Sequence, residues 1–289
     1  MKYVLAFDQG TTSSRAIVFD RSGSLVGAAQ RELTQHYPKG GWVEHDAEEI
    51  WQNLLAVTKA LLERNADKVH DLACVSLTNQ RETIVVFDRE TGEPLHPAIV
   101  WQCRRSAQIC DDHEQAGSGP LIHARTGLRL DAYFSGSKLQ WMVENHPGLA
   151  EKLANGEALV GTIDAYLVYR LTGGEVFATD STNASRTLLF DIGRLQWDEE
   201  LCDLFRVPIR ALPEVRESSA RFGETDLGGA LTTVVPIVGV MGDSQAALFA
   251  QRCFAPGTAK ATFGTGSSVL LNIGSTLQLS TTGVVTALA

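Results

Sequence analysis

An apolar strand that runs into a hydroxyl-rich turn and straight back into another strand opens this chain. Tyr3-Val4-Leu5-Ala6-Phe7 leads into Asp8-Gln9-Gly10-Thr11-Thr12-Ser13-Ser14, and Arg15-Ala16-Ile17-Val18-Phe19-Asp20 returns. Two-residue hairpins are usually closed by Asn-Gly or Asp-Gly; this turn is longer and richer in hydroxyls. Its backbone N–H groups and hydroxyls can surround phosphate oxygens, and the Asp8 carboxylate can hold a divalent cation through water. The competing reading is a plain hairpin turn. A second stretch weighs against it: Lys260-Ala261-Thr262-Phe263-Gly264-Thr265-Gly266-Ser267-Ser268-Val269-Leu270-Leu271-Asn272-Ile273 again carries an apolar strand into a Gly/Thr/Ser turn and back. Internal repeats can reset a fold assignment. Two such hairpins far apart predict a duplicated unit, each copy presenting one phosphate-contacting turn to a shared cleft. The second copy has no carboxylate where the first has Asp8, so the two turns have different tasks.

At 289 residues the chain has room for one large domain or two. Its formal charge of -9 argues against a nucleic-acid or anionic-membrane partner. No apolar run is long enough for membrane insertion, and the N-terminus enters a strand with no signal-peptide pattern; the expected location is cytoplasmic. The five cysteines (Cys74, Cys103, Cys110, Cys202, Cys253) form no C-x-x-C pair and are odd in number, so they read as reduced thiols. The seven histidines are scattered, with no H-E-x-x-H or close Cys/His set, which argues against zinc chemistry.

Along the chain, Leu25 to Leu33 continues the opening sheet, and Asp46 caps a helix with Glu49 as its capping-box partner. That helix carries Ile50, Leu54, Leu55, Val57, Leu61 and Leu62 at helical spacing. Leu72 to Leu77, Thr83 to Phe87 and Ala98 to Trp101 read as strands; Arg105 to Gln115, Lys138 to Glu144, Thr162 to Leu171 and Asp198 to Phe205 read as helices. Val234 to Val240 reads as a buried strand leading through Met241-Gly242 to Asp243, which opens a further helix. Alternating strands and helices predict an α/β fold around a mixed central sheet flanked by helices.

Three constellations carry chemistry. Asp243, at the C-terminal end of a strand, points toward the crevice where α/β sheets bind ligands and could accept a proton from a substrate hydroxyl; the bland alternative is a helix N-cap. Arg81-Glu82 sits between two apolar strands. Such a pair is usually solvated, but as a site it suits a neutral polyol, Arg donating to hydroxyl oxygens and Glu accepting from hydroxyl hydrogens. Trp101 and Tyr133 are either core or the walls on which a polyol's carbon backbone packs. Other nucleotide signatures are missing: there is no G-x-x-x-x-G-K-[ST] loop, and Gly264-Thr265-Gly266 does not continue as G-x-G-x-x-G.

Together these segments resemble the FGGY family of carbohydrate kinases, and within it the branch acting on glycerol. The resemblance runs from Tyr3 to Ala289. It is most specific in Asp8 to Arg15, Gly41 to Asp46, Thr78 to Thr83, Ile99 to Arg105, Tyr133 to Gly136, Thr182 to Thr187 and Gly264 to Gly266. It implies two RNase H-like (actin/hexokinase-like ATPase) domains with ATP and Mg²⁺ in the cleft, and transfer of the γ-phosphoryl group to a terminal polyol hydroxyl. It also implies roles. Thr11, Thr12 and Ser13 would contact phosphates, Arg15 would lie near the nucleotide's phosphate end, and Thr265 would contact phosphate from the second domain. Asp8 and Asp243 would serve the metal. Arg81, Glu82, Trp101, Tyr133, Asp243 and Ser244 would line the acceptor pocket, with Asp243 as general base. The implied partners are glycerol or a similar small polyol and ATP, with room for a homo-oligomer.

Two departures qualify that picture. Members acting on glycerol usually carry glutamine directly after the catalytic aspartate, where this chain has Ser244; a short hydroxyl reaches less far than an amide. Family members are also nearly twice this length, so residues 1–245 would be the polyol-binding domain and residues 246–289 the start of a truncated second domain. The expectations are therefore a glycerol-phosphorylating enzyme whose isolated 289-residue chain is weakly active at most, a family kinase for another polyol or sugar such as erythritol or xylulose, or a catalytically incomplete polyol-binding fragment.

Overall fold

The computed structural model describes residues 2–65, 71–263 and 267–289. Strands β1 (Tyr3–Gln9), β2 (Ser13–Phe19) and β3 (Leu25–Glu32) form an antiparallel meander. Leu5 stands opposite Val18 and Phe7 opposite Ala16, so strand alternation puts all four on one face, and all four are buried. After the two-residue β4 (Glu44–His45), α1 (Ala47–Arg64) lays Ile50, Leu54, Val57 and Leu61 over that face. Asp46 caps α1, its Oδ1 accepting from the N–H groups of Glu48 and Glu49. The capping box is not completed: the Glu49 carboxylate instead accepts from the N–H and hydroxyl of Thr34, on the segment after β3.

β5 (Leu72–Asn79) lies parallel to β1 in the same sheet. The chain then builds a second, four-stranded sheet from β6 (Ile84–Asp88), β7 (Ala98–Ile99) and β8 (Ala158–Thr162), in the order β4-β7-β6-β8. Helices α2 (Ala107–Gln115), α3 (Gly119–Thr126), α4 (Ser135–Asn145) and α5 (Leu149–Asn155) fall between β7 and β8. The apolar period does not reveal α3 or α5. Each is under nine residues, and α5 is fenced by Gly148 and Gly156, both left-handed, so the sequence there reads as loop. α6 (Ile163–Leu171) is buried nearly all round and packs against both sheets.

Short pieces follow: β9 (Ala178–Asp180), α7 (Ser181–Ala184), β10 (Phe190–Asp191), β11 (Gln196–Trp197), α8 (Glu199–Leu204) and β12 (Glu214–Arg216). β9 pairs with β12, and β10 with β11. β13 (Arg221–Thr225) and β14 (Val235–Gly242) then complete a six-stranded mixed sheet in the order β13-β14-β5-β1-β2-β3, with β14 parallel to β5. This is the expected central sheet. α9 (Asp243–Ala250) leads to the second hairpin, β15 (Ala259–Phe263) and β16 (Ser267–Leu271), which among the described residues pair only with each other.

Candidate active site

Three parallel strands of the main sheet end at one edge. Asp8 of β1 is paired with Thr78 of β5, which is paired with Met241 of β14; one step on, Gln9, Asn79 and Gly242 form the next row. The first turn, the Gln80–Glu82 loop and Asp243 therefore leave the sheet side by side, at its carboxyl edge, where open α/β sheets bind ligands.

The first turn is fixed from behind through its carbonyls. Gln80 Nε2 donates to the carbonyl of Gly10, Gln35 Nε2 to that of Thr11, and the Leu33 N–H to that of Thr12. His45 joins the two glutamines, its Nε2 2.9 Å from Gln35 Oε1 and its Nδ1 3.3 Å from Gln80 Nε2. Burial, then the nearby His36, pull the His45 pKa down to about 4, so its ring is neutral at physiological pH. Thr11 and Ser13 are half-buried and Thr12 is exposed. Arg15 reaches Asp8 Oδ2 at 3.4 Å.

Arg81 and Glu82 are buried, not solvated. Glu82 occupies the left-handed region, φ 62°, which is uncommon for a non-glycine residue and costs on the order of 1 kcal/mol or more. Its carboxylate accepts from Arg186 Nε at 2.7 Å, and its carbonyl accepts from the Ser135 hydroxyl. Arg81 places Nε 3.0 Å from Asp243 Oδ1 and donates from Nη1 to Gln245 Oε1. Burial disfavours the Arg81 charge, but Glu82 and Asp243 more than offset it and hold its pKa above the ordinary value. Gly242 makes the passage of this side chain possible: a Cβ there would stand 2.6 Å from Arg81 Cδ.

Trp101 bridges the two halves of the site. Its Nε1 donates to the Thr11 hydroxyl at 2.9 Å, while its ring meets that of Tyr133 edge-on at 5.6 Å. Burial, then the Glu82 charge, push the Tyr133 phenol up to about 12, so it stays neutral. A cavity of about 540 Å³ opens beside these rings, with Arg104, Arg129 and Asp131 also on its wall. A larger cavity of about 720 Å³, between His36 and His96, shares none of these residues; chemistry rather than size locates the site.

Asp243 is the first residue of α9, half-exposed, with Oδ1 accepting from the Ser244 N–H. The Ser244 hydroxyl lies 3.3 Å from that of Ser268 on β16, which also lies 3.3 Å from Lys260 Nζ. The second hairpin thus meets the site through Ser268. Its Thr265 lies outside the described residues.

The Asp8 carboxyl is raised above its usual range by burial, against the pull of Arg15 and with the push of Asp243's charge. Among the described residues, no group of three or more His, Cys, Asp or Glu side chains could hold a metal. Asp8 and Asp243 are part-exposed carboxylates at this edge, ion-paired to Arg15 and Arg81, and Mg²⁺ typically takes one or two carboxylates plus water and substrate phosphates rather than an all-protein cage.

Sequence reasoning named neither Arg186 nor Gln245 as a site residue, and took Ser268 and Lys260 only as members of the second hairpin stretch. Arg186 lies inside a segment already singled out, and its partner Glu82 was a chosen residue. The pairing spans 104 positions, which no local pattern displays.

Among the described residues no helix is long and apolar enough to cross a membrane. The glycerol kinase of Carboxydothermus hydrogenoformans is 52% identical over 288 residues, covering 100% of this chain and 58% of that protein. The glycerol kinase of Rhizobium meliloti is 51% identical over 289 residues, covering 99% of this chain and 58% of the relative. A Plasmodium falciparum glycerol kinase, solved with ADP, superposes with a TM-score of 0.94 at 36% identity, over 99% of this chain and 57% of that one. A Lactobacillus acidophilus gluconate kinase, at 20% identity and a TM-score of 0.82, shares the fold, that of the actin/hexokinase-like ATPases. The chain thus spans 58% of the length of these curated relatives. Residues 3–250 match the N-terminal domain of the FGGY family of carbohydrate kinases, and the chain belongs to that family.

Proposed function

We propose that this chain carries the acceptor pocket and the first phosphate turn of an ATP-dependent kinase that phosphorylates glycerol to sn-glycerol 3-phosphate. The observation that carries the reading is convergence at one sheet edge. Arg81, a donor for hydroxyls, lies beside Asp243, and Glu82, an acceptor, follows it in the chain, while Trp101 joins the acceptor wall to the phosphate turn. The 52% identical relative named glycerol kinase supports the choice of acceptor.

In this reading the glycerol hydroxyls bond Arg81 and Glu82, and its carbon face packs on Trp101 and Tyr133. Asp243 accepts the proton of the attacking hydroxyl as general base, which requires only reach and an ionised carboxylate. Thr11, Thr12 and Ser13 hold phosphate oxygens, and Arg15 offsets their charge. Thr265 serves phosphate from the second hairpin. Asp8 and Asp243 would hold Mg²⁺, which supplies neutralisation of the charge that develops in phosphoryl transfer. Residues 1–245 act as the polyol domain and residues 246–289 as the beginning of a second, nucleotide-facing one, so the 289-residue chain alone binds polyol but turns over weakly.

A second reading, a larger polyol or sugar as acceptor, is favoured by one contact. Ser244 faces another short hydroxyl, Ser268, so this wall carries two small side chains. Competitive calorimetry on the 289-residue chain tests both. Glycerol is expected to bind and to displace erythritol and xylulose. Preference for the four- or five-carbon acceptor would replace glycerol, and robust ATP-dependent product formation by the pure chain would refute the weak-turnover reading.

A further inference from the structure

Lys138 is the fourth residue of α4, and its side chain is fully buried. Its Nζ donates to three consecutive carbonyls: Ala132 at 2.5 Å, Tyr133 at 2.6 Å and Phe134 at 3.0 Å. An ammonium has three N–H donors, and these carbonyls use all of them. The placement is unfavourable on two other counts. Burying a charge is costly, and a cation in the first turn of a helix opposes the helix dipole. Charge-assisted bonds to the three carbonyls offset these costs.

The loop they hold is the one that carries the acceptor wall. It belongs to no sheet; its other ties include the Asp131 carboxylate accepting from the Tyr133 N–H, the Asp131 carbonyl accepting from the Phe134 N–H, Arg104 paired with Asp131, and Ser135 bonded to the Glu82 carbonyl. We propose that Lys138 is a positioning residue for the acceptor pocket: by gathering the carbonyls of Ala132, Tyr133 and Phe134, its ammonium sets the Tyr133 ring against Trp101. This rests on the reading of Tyr133 as a pocket wall.

The ionisable groups facing Lys138 are Glu82 after β5, Cys103 after β7, Cys110 on α2 and Asp131 ahead of α4. Burial pulls the lysine down to about 7, with the charge of Glu82 the largest opposing influence. A neutral amine keeps two N–H donors and turns a lone pair toward the third carbonyl. The loop is therefore held below neutrality and loosened above it.

Calorimetry with glycerol on the 289-residue chain, from about pH 6 to about pH 9, tests this, with Lys138→Met as the comparison because it keeps length without charge. The unsubstituted chain is expected to lose about tenfold in affinity across that range. Lys138→Met is expected to be about tenfold weaker at the acidic end and flat with pH, with Mg·ATP binding unchanged. A folded Lys138→Met chain that binds glycerol with the original affinity and pH profile overturns the proposal. Should that variant not fold, amide exchange in the unsubstituted chain decides. Tyr133, Phe134 and Ser135 should lose protection faster than intrinsic base catalysis from about pH 6 to about pH 8; exchange that follows intrinsic rates alone overturns the proposal. If the unsubstituted chain binds no glycerol at any pH, the acceptor reading fails, and the exchange measurement still judges the clamp.

Discussion

The two hydroxyl-rich hairpins are alike in sequence and unlike in support. The first belongs to the six-stranded sheet, is covered on one face by α1, and has its turn carbonyls bonded by Gln80, Gln35 and Leu33. Among the described residues the second pairs only with itself, and its outer face leaves Phe263, Val269 and Leu271 57–80% exposed. Its inner face carries Lys260, Thr262 and Ser268, bonded to one another and to Ser244. An isolated two-stranded hairpin is marginal in water. The repeat therefore copies the strand pattern outside the main sheet: the first hairpin is built into that sheet, whereas the described strands of the second pack on α9 and meet Ser244 through Ser268.

The largest expected effect tests that contrast through packing. Leu5→Ala in β1 should cost about 2–5 kcal/mol of stability, because the side chain is fully buried. Val269→Ala in β16 should cost less than about 0.5 kcal/mol, being mostly exposed. Urea unfolding measures both, and equal costs would break the comparison.

A smaller effect follows from His45. The folded chain keeps it neutral down to about 4, against an ordinary value of 6.5, so it binds fewer protons than the unfolded chain in that window. Its contribution is fully present above 6.5 and is lost as pH falls toward 4, by about 3 kcal/mol at most. His45→Asn should flatten that part of the stability curve; an unchanged slope between the two chains would remove His45 as the support of the first turn.

The smallest effect sharpens the contrast at the pocket. Trp101→Phe keeps a ring but loses the N–H bonded to Thr11, and should weaken glycerol binding about three- to tenfold. Ser268→Ala, on the second hairpin, should weaken it less than about threefold, since the 3.3 Å contact joins two neutral hydroxyls. A larger loss from Ser268→Ala would show that the second hairpin, not the first, dominates the acceptor site.

The first hairpin was legible because its signal is local: alternation, then a run of hydroxyls, then alternation. Asp243 was legible because an apolar strand ends just ahead of it. Arg81-Glu82 was legible as chemistry but not as burial, since adjacent opposite charges read as a solvated pair until Arg186 and Asp243 are brought against them. The four-stranded sheet escaped because β4 and β7 are two residues each, too short for any period. Lys138 escaped because a lysine on an amphipathic helix reads as surface, and only the path of the preceding loop reveals its three acceptors.

Gly242 has a practical consequence for anyone wishing to redirect the acceptor pocket. A library that randomises the strand end together with the helix start would discard most of its members at that position. Any β-carbon there collides with the stem of Arg81 at 2.6 Å. On the proposed reading, the positions to vary are instead Ser244 and Ser268, which belong to separate elements and meet through their hydroxyls. If the proposed acceptor pocket is right, enlarging one while holding the other small would alter acceptor choice at positions that do not bond the Arg81 guanidinium.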